Sequence, residues 1–477
     1  MAEPLLIQGG MGAGVSGWRL ARAVSRLGQL GVVAGTALDA ILARRLQEGD
    51  PGGHLRRAIA TFPIAGIGDE VLERYFVAGG KEPDAPYRSV PVHSLRPPRI
   101  LARLAVLANY VEVWLAKEGH DGIVGINYLE KIQVPNLPSL YGAMLAGVDY
   151  VLMGAGIPRE IPGALDRLSA GLPASLRLAV VGEGKGEEHH LSFDPRELSA
   201  GAPASLRRPK FLAIVASATL AVALARRPTG HIDGFVVESQ LAGGHNAPPR
   251  GKLQLDEHGE PTYGDRDRVD LAVFRKLGLP FWLAGAYGRP DRIAEALQQG
   301  ATGVQVGTPF AFCRESGLEP RLRQRILESV RAGTASVYTD PFASPTGFPF
   351  KIVRVEGSLS DPEVYARRPR ICDLSYLRIA YRTGDGSIGF RCPAEPVEDY
   401  VRKGGDPADT DGRRCLCNGL VANIGLGQIH AGGYREPPVL TSGEDLSVLA
   451  PFLFASGTDY GAADVVRHLC GGLAPSA

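Results

Sequence analysis

The stretch from Gly234 to Phe310 contains GFVVESQLAGGH (234–245), PFWLAGAYG (280–288) and GVQVGTPF (303–310). Each segment begins with a short apolar run rich in β-branched or aromatic residues, and each then breaks into glycine. Helical-looking sequence separates the segments, which is typical of successive β/α units with parallel strands. We therefore expect the functional site at the carboxyl ends of these strands.

Other short apolar runs that end in glycine or a polar residue continue this pattern toward the N-terminus. The predicted strands are Leu5–Gln8, Gly31–Ala34, Ile123–Asn127, Asp149–Met153, Phe211–Ala216, Gly234–Glu238, Phe281–Ala284 and Gly303–Val306. Eight strands that alternate with helices predict an α/β fold, a (β/α)8 or TIM barrel.

Two interruptions of the alternation predict insertions. Helical segments at about 39–117 predict a helical insertion after strand 2. The runs Leu176–Val181 and His190–Phe193 predict a β-hairpin before strand 5. We interpret the helical insertion as a lid or an oligomer contact.

The pattern changes again after Ser336. TGDG (383–386) lies between two strand-like runs and predicts a hairpin, SGED (442–445) resembles a helix cap, and Asp464–Leu469 predicts a last helix. We therefore expect a barrel in residues 1–335 and an appended C-terminal α+β region, residues 336–477, packed on it.

Composition excludes several classes of protein. Lys and Arg number 52 against 51 Asp and Glu, so the charge balance favours neither nucleic acid nor an anionic membrane as a partner. The N-terminus MAEPLLIQ has no signal-peptide pattern, and the apolar run Phe211–Ala225 is shorter than the roughly 20 residues that span a bilayer. Six irregularly spaced cysteines predict a reducing cytoplasm rather than a disulfide framework.

The glycine-rich turn after strand 1 raises an alternative. Gly12, Gly14 and Gly17 spell G-x-G-x-x-G, the dinucleotide-binding pattern. That fold needs an acidic residue about 20 positions later, at the end of the second strand, to hold a ribose. Here the strand ends at Gly35 and Asp39 falls in the following helix, so this alternative is disfavoured.

The strand ends themselves offer candidate ligand groups. Gly285, Gly307 and Thr308 have the residue types of a backbone phosphate site, although turn glycines explain them as well. Asn127 offers a donor and an acceptor to a planar heterocycle, or caps a turn. Glu238 either bonds a backbone group or touches ligand.

The cysteines have a plainer interpretation. Cys392, Cys415 and Cys417 would need a fourth ligand to hold a metal ion, and C-x-C is not the usual zinc spacing. We expect no metal site. Cys313, which follows the last strand, is expected to be a buried apolar residue rather than a reactive one.

Taken together, QGGMGAGVS, GINYLEK, AGGH, LAGAYG and VQVGTPF occur in an order that resembles the nitronate monooxygenase (2-nitropropane dioxygenase) family of FMN-dependent barrels. The same superfamily includes flavin-dependent enoyl-acyl-carrier-protein reductases. The likeness covers roughly Leu5 to Phe312. The run RCLCNGLVANIGLGQ (414–428) is similar to longer members of the group.

The resemblance implies an FMN at the C-terminal rim of the barrel. Gly9, Gly10 and Met11 would lie against the isoalloxazine ring, Asn127 would bond its polar edge, and His245 would be the catalytic histidine. The phosphate would be held by Gly285, Gly307 and Thr308. Ser217, Glu238 and Gly244 are further candidate cofactor-binding residues.

The activity that this resemblance implies is oxidation of an alkyl nitronate, a small-molecule substrate, by dioxygen to a carbonyl compound and nitrite. His245, near its ordinary pKa, would take the α-proton of a nitroalkane or hold the nitronate by a charge-assisted bond. In shorter family members Glu directly precedes AGGH, whereas Ser239, Gln240 and Leu241 intervene here. Arg250 and Lys252 suit a bulkier or anionic substrate.

Two other functions stay open at this point. One is NAD(P)H-dependent FMN enoyl-thioester reduction, acting in trans on a carrier protein in fatty-acid or polyketide synthesis. The other is a non-catalytic flavin-binding partner in a larger assembly. The sequence also leaves open whether the chain forms a homo-oligomer.

Overall fold

The computed structural model describes residues 3–198, 203–226, 229–455 and 459–471. Eight parallel strands close into a barrel. They are β1 (Leu6–Gln8), β2 (Leu30–Ala34), β3 (Val124–Leu129), β4 (Tyr150–Gly154), β8 (Lys210–Val215), β9 (Gly234–Glu238), β10 (Phe281–Ala284) and β11 (Gly303–Val306). Around the barrel their order is β1-β11-β10-β9-β8-β4-β3-β2. The predicted (β/α)8 barrel is confirmed.

Successive side chains of each barrel strand point alternately into the barrel and out toward the helices, and this alternation forms two separate apolar layers. Side chains such as Val32, Leu152 and Val236 fill the barrel interior, in a cluster distinct from the layer between strands and helices. Val33 and Val237, one residue further along, belong to the outer layer. Trp282 lies inside the barrel, where its indole N–H donates to the Pro4 carbonyl at 2.7 Å. The interior is therefore a packed core, and space for a ligand remains only at its ends.

Helices surround the barrel and fill the predicted helical insertion. The helices that follow barrel strands are α1 (Trp18–Ser25), α6 (Asn136–Leu145), α7 (Ile161–Ser169), α8 (Ala218–Arg226), α9 (Leu271–Leu277), α10 (Pro290–Gln298), α11 (Thr308–Ala311) and α12 (Pro320–Arg331). Between β2 and β3 lie α2 (Leu38–Gln47), α3 (His54–Ala60), α4 (Ile67–Tyr75) and α5 (Arg99–Lys117). Within the described ranges no helix combines the length and apolar character needed to cross a membrane.

The prediction of a hairpin before the fifth barrel strand, β8, is only partly correct. β5 (Ala174–Leu178) pairs antiparallel with β7 (His189–Phe193). The predicted single run Leu176–Val181 is wrong, because β6 (Val180–Val181) pairs instead in parallel with β14 (Ile379–Arg382) of the C-terminal region. Between the two strands, the backbone N–H of Ala179 donates to the Gln133 side chain at 3.1 Å, which takes the chain out of the hairpin ladder.

The C-terminal region contains short strands and helices. β12 (Val337–Asp340) and β13 (Phe350–Val353) pair antiparallel, as do β14 and β15 (Ile388–Arg391) around the predicted TGDG turn. The helices are α13 (Pro362–Arg367), α14 (Val397–Arg402), α15 (Leu416–Ala422), α16 (Ala450–Ala455) and α17 (Ala462–Cys470). As SGED predicts, Asp445 caps the 3-10 turn Leu446–Leu449 by accepting from the Ser447 N–H at 2.9 Å.

Candidate functional site

A cavity of about 210 Å³ lies at the carboxyl ends of the barrel strands, and we call it the rim cavity. It is lined by all but one of the candidate catalytic and cofactor-binding residues that the sequence analysis names. Those that it brings together are Gly9, Gly10, Met11, Asn127, Glu238, Gly244, His245, Gly285, Gly307 and Thr308. Residues scattered over 300 positions therefore converge on one space.

Ser217 is the exception. It does not line the rim cavity. Its hydroxyl oxygen accepts the N–H of Leu220 at 3.1 Å and so caps the start of α8. A serine at a strand end is also a good helix cap, and here the structure places it in that role.

The glycine turn after β1 is fixed by one serine. The Ser16 hydroxyl donates to the Gly9 carbonyl and accepts the Met11 N–H, both at 2.9 Å. A Cβ on Gly10 would stand 2.4 Å from Asn127 Cβ. Only glycine lets this turn approach β3 so closely, and the contact fixes the cavity floor.

The uppermost interior layer of the barrel is polar. This layer contains Asn127, Glu238 and Gln305. Glu238 lies two residues after the inward-facing Val236, so its side chain points to the same face of the strand. Gln305 pairs in register with the inward-facing Ala284 of the neighbouring strand. Among the described residues the buried Gln305 Oε1 has no hydrogen-bond partner. Asn127 also lines the cavity. An unpaired buried acceptor is costly, so this layer is suited to bonding a heterocyclic ligand.

Gln305 is a site residue that the sequence interpretation missed. The signal was present, since Gln305 interrupts the otherwise apolar run GVQV (303–306) at an inward position.

The wall around Gly285 and Thr308 is completed by the C-terminal region. The Gly443 N–H donates to Thr308 Oγ1 at 3.0 Å, and the Gly244 N–H donates to Thr441 Oγ1 at 2.7 Å. Gly285 has φ of 92°, and a Cβ there would stand 2.2 Å from Ser239 Oγ. Thr441, Ser442 and Gly443 line the cavity, although the sequence suggested only a helix cap there.

Two carboxylates in the same wall are each paired with a cation. Glu444 lies 2.9 Å from the Nζ of the buried Lys351, and Asp445 lies 3.0 Å from Arg289. The pairing offsets their negative charge. An anionic group near Thr308 therefore faces these pairs rather than two free carboxylates.

His245 is half-buried in the cavity wall, and protein encloses its ring away from bulk water. Its Nε2 lies 2.7 Å from Ser344 Oγ, and its ring meets the edge of Phe350 at 4.9 Å between centroids. Burial lowers the pKa of His245 to about 4, so the imidazole is neutral at pH 7. The expectation of an ordinary histidine pKa is wrong, because the sequence does not reveal how far the ring is desolvated.

Glu238 lies where the rim cavity meets a second cavity of about 450 Å³. Burial raises the pKa of Glu238 to about 8, so the carboxyl group carries a proton at pH 7. Of the two roles that the sequence left open, facing a ligand fits this placement.

The cysteines form a cluster away from this site. Cys392, Cys415 and Cys417 meet Cys372 around a void of about 10 Å³. Burial raises the pKa of all four thiols. Over the ranges the structure describes, no group of three or more His, Cys, Asp or Glu side chains is arranged to hold a metal ion. Cys313 is buried, and burial raises the pKa of its thiol too.

The dinucleotide alternative finds no support in the structure. The sheet is closed rather than open. Asp39 is buried and bonded to His93 at 2.7 Å and to the Tyr376 hydroxyl at 2.5 Å. Its carboxylate is therefore committed to protein groups rather than available to a ribose.

Comparison with known proteins finds similarity over part of the chain. Residues 199–342 match the family model described as nitronate monooxygenase. The chain is 35% identical over 103 residues to a probable nitronate monooxygenase of Bacillus subtilis, and 34% identical over 121 residues to a nitronate monooxygenase of Pseudomonas aeruginosa. These alignments cover 22% and 24% of this chain, and 28% and 32% of the relatives.

Among solved structures, the chain is similar to a nitroalkane oxidase from Streptomyces ansochromogenes. The two share 15% identity with a TM-score of 0.44, over 98% of this chain and 95% of that one.

Proposed function

We propose, from the match of residues 199–342 to the nitronate monooxygenase family model, that this protein is an FMN-dependent oxidoreductase. In the proposed reaction dioxygen oxidises an alkyl nitronate to a carbonyl compound and nitrite. The observation that carries the proposal is the rim cavity, which is lined both by a neutral His245 and by Gln305 with its unpaired acceptor.

The residues around the rim cavity suit FMN. The Gly9–Met11 turn offers a flat floor to the ring, and the unpaired oxygen of Gln305 and the amide of Asn127 match its N–H and carbonyl groups. Gly285, Gly307 and Thr308 lie together at the side closed by Gly443, where we place the phosphate. When bound there, FMN supplies electron acceptance from the substrate and reaction with dioxygen.

His245 is proposed as the base for neutral nitroalkanes. Ser344 Oγ lies 2.8 Å from Thr346 Oγ1, so Ser344 can donate there and accept Nε2–H of His245. That arrangement leaves Nδ1 as the basic nitrogen and fixes the plane of the ring. The resting ring is neutral, so it does not hold an incoming nitronate by a charge-assisted bond. When Nδ1 takes the α-proton of a nitroalkane, the ring becomes cationic beside the nitronate anion formed in the same step, and the two charges offset each other.

Glu238 is proposed to orient the nitronate. Its protonated carboxyl group can donate a hydrogen bond to a nitronate oxygen at pH 7, whereas an ionised one would repel the anion. His245 and Glu238 both line the junction of the two cavities, so one substrate head group can reach both.

An anaerobic absorbance titration tests this proposal. Propyl nitronate is expected to remove the oxidised flavin absorbance of the FMN-loaded protein, and NADH or NADPH is expected to leave it unchanged. Admission of air should then restore the spectrum and release nitrite. Bound FMN that responds to neither addition would instead favour a non-catalytic flavin-binding protein, and failure to bind FMN would overturn the cofactor assignment.

One observation favours a second candidate, NAD(P)H-dependent reduction of an enoyl thioester. Saturation of a carbon–carbon double bond needs a proton as well as a hydride, and Glu238 holds a proton at pH 7 beside the cavity. Rapid loss of flavin absorbance on addition of NAD(P)H, reversed by an enoyl thioester, would select this reaction. A carrier-protein partner belongs to this candidate alone.

A cytoplasmic location completes the proposal. It rests on six cysteines that are all free thiols in the structure, as expected in a reducing compartment.

A further inference from the structure

The second cavity, which we call the side cavity, opens from the rim cavity at Glu238 and His245. It has a volume of about 450 Å³ and lies between the ends of β8 and β9 and the loop 246–269. Its volume lies in the range of small-molecule sites, so the proposed head-group position continues into a space of its own.

The walls of the side cavity are largely apolar. The side chains that form them belong to α8, the start of α9 and two loops, and they are Ile157, Leu220, Val269, Leu271 and Phe348. Ile157 is 59% exposed, an unusual position for a large aliphatic side chain. A substrate of two or three carbons would leave these walls in contact with water, whereas an alkyl chain would cover them.

Besides Glu238 at the junction, the charged side chains that line this space are Arg250, Asp267 and Arg268. The exposed Arg268 lies 3.5 Å from Asp265, and Asp267 accepts the backbone N–H of Arg250 at 2.8 Å. Arg250 and Arg268 are exposed on loop segments, and Asp267 and Arg268 lie just before the apolar Val269 and Leu271 in sequence. The exposed arginines mark where the cavity meets solvent.

Beyond Ile157 and Phe348 the space continues into a groove of about 730 Å³, which we call the outer groove. Gly156, Ile157 and Phe348 line both spaces. The groove is lined by the apolar side chains Val134, Leu178, Val180, Ile379 and Phe390, and also by charged ones, among them Glu130, Lys131, Arg177, Glu183 and Arg378. Both spaces therefore offer apolar side chains to an alkyl chain that starts at the junction of the cavities.

We infer that the side cavity holds the unbranched alkyl chain of the substrate, and that chains long enough to pass Ile157 continue into the outer groove. This inference rests on the proposed function and names its substrate class: medium- and long-chain aliphatic compounds whose planar, two-oxygen anionic head lies between His245 and Glu238. Short nitroalkanes are poor members of that class because they leave the apolar walls uncovered.

Calorimetric titration with butanoate, octanoate and dodecanoate tests the inference without turnover. A carboxylate has the planar two-oxygen form of a nitronate but does not react. For the FMN-loaded protein we expect the dissociation constant to fall about two- to fourfold for each methylene added between butanoate and octanoate, from about 0.8 kcal/mol for each buried CH2.

Two variants test where the alkyl chain lies. Ala216 lines the side cavity, and the larger side chain of Ala216→Leu should fill part of that space. We expect this variant to raise the dissociation constant of octanoate at least about tenfold more than that of butanoate. The matched control is Thr219→Leu, an exposed position on the following helix, which should change neither constant. Ile157→Glu places a charge at an exposed position that tolerates it. This variant should bind dodecanoate more weakly than wild type does, and should bind butanoate as wild type does.

The outcomes separate this inference from the proposed function. Equal affinities for butanoate and octanoate, or binding of none of the three, would overturn the inference even if nitronates are oxidised. Affinity that rises with the length of the alkyl chain, and that is lost in Ala216→Leu, supports the inference. If the same protein releases no nitrite, the proposed function fails and the inference about the alkyl chain still stands.

Discussion

His245 Nε2 lies 2.7 Å from Ser344 Oγ, although 99 residues separate the two in the chain. His245 follows the sixth barrel strand, whereas Ser344 belongs to the C-terminal region between β12 and β13. Phe350 of the same region meets the histidine ring. The barrel therefore supplies the proposed base, and the appended region sets its orientation.

Removing that hydrogen bond is expected to slow proton abstraction. Ser344→Ala should lower kcat/KM for nitroethane about three- to tenfold, the equivalent of one hydrogen bond, with FMN content unchanged. The matched control is Ser358→Ala, which removes a buried serine hydroxyl bonded to Val355 rather than to the site. Equal rates for Ser344→Ala and the control would rule out a positioning role for Ser344.

The pH dependence follows from the two shifted groups. With a pKa of about 4, His245 stays neutral down to that pH, so kcat/KM for a nitroalkane should fall near pH 4 rather than near 6.5. With a pKa of about 8, Glu238 ionises above that pH and repels the anion, so kcat/KM for a nitronate should fall on the alkaline side. Glu238→Gln should abolish the alkaline fall. An unchanged alkaline limb in this variant would assign it to another group.

The close approach of Gly10 to Asn127 gives a test of the cofactor floor. Gly10→Ala places a Cβ where Asn127 Cβ already lies, and we expect FMN retention after gel filtration to fall at least about tenfold. Gly384→Ala is the matched control, since a Cβ there meets no atom within 4 Å. Both are measured as flavin absorbance per mole of protein. Full retention in Gly10→Ala would remove this turn from the cofactor site.

Gln305 offers a test in which two readouts move in opposite directions. Gln305→Met removes the unpaired buried oxygen, so the FMN-free protein should be as stable as wild type or more so in urea unfolding. FMN affinity should instead fall about five- to 100-fold, the equivalent of about 1–3 kcal/mol. Loss of stability without loss of affinity would show that Gln305 serves the fold alone.

The bonds of Asp39 to His93 and Tyr376 predict a stability effect. Tyr376→Phe leaves one oxygen of the buried Asp39 without its donor, and we expect the free energy of unfolding to fall by about 1–3 kcal/mol. Tyr381→Phe, a tyrosine in β14, is the control.

Burial alone would raise the pKa of Asp39, but His93 and Tyr376 lower it below its usual value. The ionised Asp39 therefore stabilises the fold above its unfolded pKa, and that stabilisation should be lost as pH falls through the lowered value.

Much of the barrel could be predicted from sequence because its signals are local. Apolar runs of four to six residues and the glycines after them are consecutive in the chain, so all eight strands were placed to within two residues of their ends. The glycines after the strands also indicated Gly9, Gly10, Gly285 and Gly307, and at Gly10 and Gly285 a Cβ would stand within 2.4 Å of a neighbouring atom, so glycine is required there. The fold and the position of the site are thus properties of the sequence itself.

Only the tertiary structure decided what surrounds those positions. It brought Ser344 to His245 and Gly443 to Thr308, turned Gln305 inward, and placed Ser217 as a helix cap outside the cavity. It also set the pKa values of His245 and Glu238, because desolvation depends on every segment packed around a group and not on its neighbours in sequence. Contacts between residues a hundred positions apart leave no local periodicity, and this is why they could not be read from the chain alone.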